Sequence, residues 1–158
     1  MQAYIFRPEL AKFRRRAWKA YAKRKEYIEA MFGIIHNGVV VVSMFYPIKH
    51  EADFGSCSFH NELDKTREDE VFDDLAEIAK ESGLRLIGTI HSHPGYNTCR
   101  HLSNRDVRHC VTNWQHELLT GTMHIFRKGG RSRSQSQFTC LFEPVDVKFI
   151  TRKRKIRS

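Results

Sequence analysis

Leu84-Arg-Leu-Ile-Gly-Thr-Ile90, followed at once by His91-Ser92-His93-Pro94, decides the reading of the fold. A short apolar run of this length, rich in Ile and Leu and preceded by the helix stop Ser82-Gly83, reads as a buried strand. The strand delivers polar residues at its carboxyl end. Residues two apart on a strand point the same way, so His91 and His93 aim both imidazoles at one point, and Ser92 points away from it. Pro94 is expected to end the strand.

On the amino-terminal side, Val71, Phe72, Leu75, Ile78 and Ala79 mark one face of a helix spanning Arg67 to Ser82. Before it, residues 47–65 hold Gly55 and few apolar side chains, the composition of a long surface loop. Two apolar runs, 30–35 and 39–45, are separated by His36-Asn37-Gly38, and Asn-Gly between β-formers is a strong hairpin signal. Leu10, Phe13, Ala17, Trp18 and Tyr21 recur at helical spacing after Pro8, which predicts an amino-terminal amphipathic helix ending near residue 25, within a segment 1–25.

On the carboxyl-terminal side, a helix is predicted from Ser103 to about Glu117, then strands over 122–126, 138–142 and 145–150. Residues 128–137, Lys-Gly-Gly-Arg-Ser-Arg-Ser-Gln-Ser-Gln, read as a low-complexity loop. The order of elements predicts an α/β sandwich with a mixed, mainly antiparallel central sheet flanked by helices. With 158 residues and 41% hydrophobic content the chain has length for one core, so a single domain over 1–158 is expected, closing in a basic tail at 151–158.

No apolar run approaches the ~20 residues needed to cross a bilayer, and the start lacks the order of a signal peptide, so the chain reads as cytoplasmic. Cys57, Cys99, Cys110 and Cys140 include no Cys-x-x-Cys pair and are expected to be reduced thiols. The net charge of +9 favours acidic partners. Much of it sits in residues 12–25 and 152–157, without interleaved exposed aromatics, which weakens a nucleic-acid-binding reading.

Asp106 is the natural third ligand beside His91 and His93, because it lies one loop downstream at a helix start, and two imidazoles with one carboxylate suit Zn²⁺ while leaving a position for water. Ser103-Asn-Arg-Asp106 equally fits a helix capping box. The combination of His91-Ser-His93-Pro94 after a buried strand and Ser103-x-x-Asp106 on the next helix resembles the JAMM (MPN-type) metalloprotease family, over about residues 26–108. Twelve residues, 94–105, separate His93 from Asp106, two more than is usual in the family, an expansion that a loop absorbs at little entropic cost.

The resemblance implies an MPN-like domain, a zinc cofactor and attack by a zinc-activated water on a peptide or isopeptide carbonyl. It further implies an upstream glutamate as general base and Ser103 as oxyanion stabiliser. Glu26, in Glu26-Tyr-Ile-Glu-Ala-Met-Phe-Gly33, fits the family's spacing to Gly33, and Glu29 is the alternative base. Many members release ubiquitin-like proteins from conjugates, and the short chain is similar to stand-alone prokaryotic members, some of which serve anti-phage defence. In that setting the loops 47–65 and 95–102, the latter with Cys99 and His101, flank a substrate groove. A carrier-protein hydrolase of the same family, a non-catalytic MPN scaffold and a basic nucleic-acid-binding protein are the alternatives.

Overall fold

A computed structural model of the chain describes residues 1–48, 51–52, 57–58, 65–95 and 102–152. In chain order the elements are β1 Gln2–Phe6, α1 Arg7–Ala22, β2 Ile28–His36, β3 Val39–Pro47, β4 Glu51–Ala52, β5 Cys57–Ser58, α2 Lys65–Glu81, β6 Arg85–Pro94, α3 Asn104–Thr112, β7 Leu119–Lys128, β8 Arg131–Thr139 and β9 Asp146–Ile150. Seven strands form one sheet in the order β8-β7-β6-β2-β3-β1-β9, and β4 pairs with β5 alone.

Local chemistry sets the hairpins. Asn37 and Gly38 both take positive φ, 50° and 75°, the backbone that a two-residue turn between twisted strands requires, and β2 pairs with β3 from His36↔Val39 onward. Gly33 sits where that pairing shifts register, and a Cβ there would lie 1.9 Å from the Val41 carbonyl oxygen. Only glycine allows the two backbones so close. Gly88 plays the same part between β6 and β7, where a Cβ would fall 1.8 Å from the Leu119 oxygen.

Two apolar layers lie on opposite faces of the sheet. On one, the buried stripe Leu10, Phe13 and Ala17 of α1 packs with Ala3, Ile5, Met31, Val42, Ile90, Met123 and Ile125. On the other, Phe72, Leu75 and Ala79 of α2 pack on Ile28, Ala30 and Phe32 of β2. Burial at about 1.5–3 kcal/mol for each large apolar side chain pins both helices to the sheet.

Several expectations change. The mixed α/β class stands, but the sheet curls toward a barrel around α1, bringing the ring of Phe138 of β8 within 6.4 Å of that of Phe149 of β9 in an edge-on contact, so the expected helix-flanked sandwich gives way. Nor is the sheet mainly antiparallel: β1 runs parallel to both β3 and β9, and β6 parallel to β7, against antiparallel β2–β3, β2–β6 and β7–β8. Segment 1–25 does not begin in a helix. Ala3 and Ile5 alternate inward on β1 before Pro8 starts α1.

The 128–137 stretch is no loop. Gly129-Gly130 is a tight turn and the Arg-Ser-Gln run is β8, a sheet edge with mostly exposed residues, which is why its composition mimics a loop. The strand predicted at 138–142 is only the last two residues of β8, and α3 stops at Thr112 instead of near Glu117. The 47–65 loop carries the short strands β4 and β5. Cys110 and Cys140 are free and buried; Cys99, His101, most of the 95–102 loop and tail residues 153–158 lie outside the described residues, as does the side chain of Cys57. Among the described residues no helix is long and apolar enough to cross a membrane.

Candidate metal centre

β6 runs past Ile90 and stays paired to β7 through Pro94↔Ile125, so His91 and His93 lie inside a strand and not beyond its end. Their neighbours on β6, Ile90 and Ser92, turn to the α1 side: Ile90 joins the α1 core and Ser92 takes its place opposite Tyr27. His91 and His93 therefore share the α2 and α3 side of the sheet. Both are nearly inaccessible, 7% and 5% exposed, and their Nε2 atoms stand 2.8 Å apart.

Asp106 arrives from α3. Ser103 caps that helix with its hydroxyl oxygen accepting from the Asp106 backbone N–H at 3.1 Å, while the Ser103 N–H donates to Asp106 Oδ2 at 2.8 Å. The same carboxylate puts Oδ1 3.3 Å from His91 Nε2 and Oδ2 3.2 Å from His93 Nε2. Cap and ligand, competing readings in the sequence, are one arrangement. Ligand atoms of His91, His93 and Asp106 all lie within 4.8 Å of one another, a grouping able to hold a metal ion. Burial works to raise the Asp106 carboxyl, but the hydrogen bonds to His91 and His93 and the Ser103 N–H outweigh it and hold it well below the ordinary carboxylate range.

The two glutamates part company. Ile28 pairs with His91, and the ladder continues one step because Ser92 N donates to the Tyr27 carbonyl at 2.8 Å and Tyr27 N donates to Ser92 Oγ at 2.9 Å. Glu26, two residues ahead of β2 and next to this extension of the ladder, is buried. Glu29 is on the α1 side of the sheet. Its fully buried carboxylate accepts from Nε and Nη2 of Arg16 on α1, at 2.5 and 2.8 Å.

A polar layer beneath the ligands went unread in the sequence. Glu117, fully buried after α3, accepts from the Thr89 backbone N–H at 3.0 Å, from Thr89 Oγ1 at 2.5 Å and from Thr120 Oγ1 at 3.0 Å. Burial, only partly offset by these bonds, pushes its carboxyl up to about 7. Glu68 of α2 meets Asn113 Nδ2 at 2.6 Å and His109 Nδ1 at 3.2 Å. These groups tie α2, α3, β6 and β7 together under Asp106. The one sequence signal was Thr89, a polar residue two before His91 in the apolar run Leu86–Ile90.

His124, level with His93 on β7, was also missed. Its Nε2 donates to the Gly95 carbonyl at 2.7 Å, the Gly95 N–H donates to the Ile125 carbonyl at 2.8 Å, and Gly95 takes a φ of 105°. The chain leaving the second histidine is thereby clamped from both sides.

No family model matches the chain, and no curated protein matches it. Among solved structures it is similar to the solution structure of protein DSY2949 from Desulfitobacterium hafniense, a Northeast Structural Genomics Consortium target, at 15% identity, 94% coverage of each chain and a TM-score of 0.56. At that identity the likeness speaks for the fold alone.

Imidazole nitrogens of the buried His91 and His93 and a carboxylate oxygen of the half-buried Asp106 converge on one point, a donor set able to hold a metal ion.

Proposed function

We propose that the protein is a zinc-dependent peptidase or isopeptidase of the JAMM type, with an MPN-like domain, acting in the cytoplasm on a ubiquitin-like protein or its conjugates. The observation that carries this reading is the convergence of His91, His93 and Asp106, with Ser103 at the same helix start.

Zinc held by the three ligands supplies a Lewis acid and brings the pKa of a water toward about 7. Glu26 accepts a proton from the attacking water and returns it to the leaving amine, a role its burial just ahead of β2 supports. Ser103 Oγ already accepts from the Asp106 N–H, which leaves its own O–H to be donated to the oxygen that gathers charge on the carbonyl. Glu29, gripped by Arg16 across the sheet, holds α1 in place.

Metal analysis of the purified protein beside His93→Ala and Glu26→Gln tests this. About one zinc is expected in the wild type and in Glu26→Gln, and a large loss in His93→Ala. Incubation with a linear ubiquitin-like fusion and a branched conjugate reads the reaction. A zinc-free wild type prepared without chelator overturns the metal; a zinc-loaded wild type that cuts neither substrate overturns the deconjugase reading.

A further inference from the structure

β8 is the outer strand on the side of the sheet that carries His93, two places from β6, and among the described residues no strand pairs with its outer edge. Which of its backbone groups face outward follows from the turn. Gly129 and Gly130 have φ of 59° and 74°, the two-residue turn with two positive φ values, and it closes on Lys128↔Arg131. In such a hairpin the closing pair exchanges both hydrogen bonds and bonded pairs recur at every second residue, so Phe126↔Arg133 and His124↔Gln135 are bonded too. Ser132, Ser134 and Ser136 therefore turn N–H and C=O outward.

The pairing of β8 with β7 runs without a register shift, so no bulge twists this edge away. Its far end is occupied, since Phe138 is buried and meets Phe149. Residues 131–136 are not covered in this way.

The side chains add a charge. Phe126, His124 and Thr122 share the face of His91 and His93, so their partners Arg133, Gln135 and Gln137 stand on that face, all exposed. From Leu118 to Phe142 there is no Asp or Glu, while Arg127, Lys128, Arg131 and Arg133 fall in one hairpin. Arg127 lies over the Trp18 ring on the α1 side, leaving Lys128, Arg131 and Arg133 to set the charge of the metal-side face.

We propose that the outer edge of β8 docks an extended acidic polypeptide segment, which adds a strand to Ser132–Ser136 and sets carboxylates against Arg131 and Arg133. Outward amide and carbonyl groups at every second residue match an extended peptide, and the cations select its charge. A second copy of β8 brings no carboxylate. Nucleic acid lacks its stacking platform here, because Phe126 and Phe138 are both buried. Resting on the hydrolase reading, the docked segment belongs to the substrate: three strand spacings put it about 14 Å from His93, some four to five extended residues from the bond to be cut.

The experiment is fluorescence anisotropy with a fluorescein-labelled peptide of alternating Glu and Thr, at low salt, with zinc and again with chelator. The wild type is expected to bind it, and Ser134→Pro, which removes an outward N–H without touching the β7 ladder, to weaken binding about tenfold. The charge reversal Arg131→Glu with Arg133→Glu is expected to do the same. A peptide N-methylated at every second backbone nitrogen makes the strand test on the wild type itself and is expected to fail.

Equal binding of the N-methylated peptide overturns strand addition, and equal binding by the charge-reversed protein overturns the acidic preference. Tighter binding of oligothymidylate that is indifferent to Ser134→Pro overturns a polypeptide occupant. Docking is expected to persist under chelation, so a failure of the zinc reading and a failure of this one are separable.

Discussion

Glu117→Gln is expected to remove a loss of stability that the wild type suffers as pH rises from about 4.5 through about 7. The fully buried carboxyl is raised from its ordinary 4.5 to about 7, chiefly by desolvation, with the Thr89 and Thr120 bonds pulling the other way. Between those values the folded protein keeps a proton that the unfolded chain releases, so the contribution of Glu117 to stability is fully present below about 4.5 and is lost as pH rises through about 7. At about 1.36 kcal/mol for each pH unit the loss is about 3 kcal/mol. Glutamine fits the same contacts: its carbonyl can accept from Thr89 N and Thr120 Oγ1, and its amide can donate to Thr89 Oγ1, yet it has no proton to lose. Urea unfolding of chelator-treated wild type and variant at several pH values isolates the effect, since other titrations cancel in the difference. The variant is expected to gain on the wild type by about 3 kcal/mol between pH 4.5 and 8. Parallel profiles would show that Glu117 is not held protonated by burial, and the reasoning fails.

Glu26→Gln should leave folding and zinc intact and reduce hydrolysis at least about 100-fold, whereas Glu29→Ala should cost about 3 kcal/mol by stranding Arg16 and keep its zinc; urea melts and zinc content separate the pair, and the reverse pattern would exchange their roles. Gly88→Ala should destabilise by about 3 kcal/mol, because the new Cβ meets the backbone carbonyl of Leu119, which cannot swing aside as a side chain can, and also crowds Glu117 Oε2; an unchanged melting temperature counts against the close approach. His124→Phe keeps the stack on Phe126 but loses the bond to Gly95, and it is expected to weaken zinc about tenfold while changing stability by only about 1 kcal/mol, read by competition with a chelator.

Elements with a buried periodic face were legible in the sequence. The stripes of α1 and α2, the Asn37-Gly38 hairpin and the apolar start of β6 each carry a pattern that burial imposes, and the structure has them there. β8 was not legible, because an edge strand needs no apolar alternation and Arg-Ser-Arg-Ser-Gln has none. β1 was hidden by its brevity and by the helix pattern that begins at Pro8. At the site, His91, His93 and Asp106 were readable because their spacing is local. Glu117, Glu68, His109 and His124 were not, because strand register and helix packing bring them together across intervals of 3 to 45 residues, and a single sequence has no record of either.

Why the candidate chemistry gathers at one end of the sheet follows from connectivity. Because β6 and β7 are parallel, the chain must cross over between them, and the crossover carries α3. Its first turn begins close to the carboxyl end of β6, where the histidines are. Helix starts favour a carboxylate, and the Ser103 capping box fixes the rotamer of the one supplied, so an ordinary device for beginning a helix aims Asp106 at His91 and His93. β2 runs antiparallel to β6, which brings its amino-terminal approach to the same end and Glu26 with it. Glu29, three residues on, lands on the face opposite the histidines by strand alternation and becomes the anchor for α1. One strand direction and one strand period therefore divide two nearly adjacent glutamates between the face proposed to carry the chemistry and the face that holds α1.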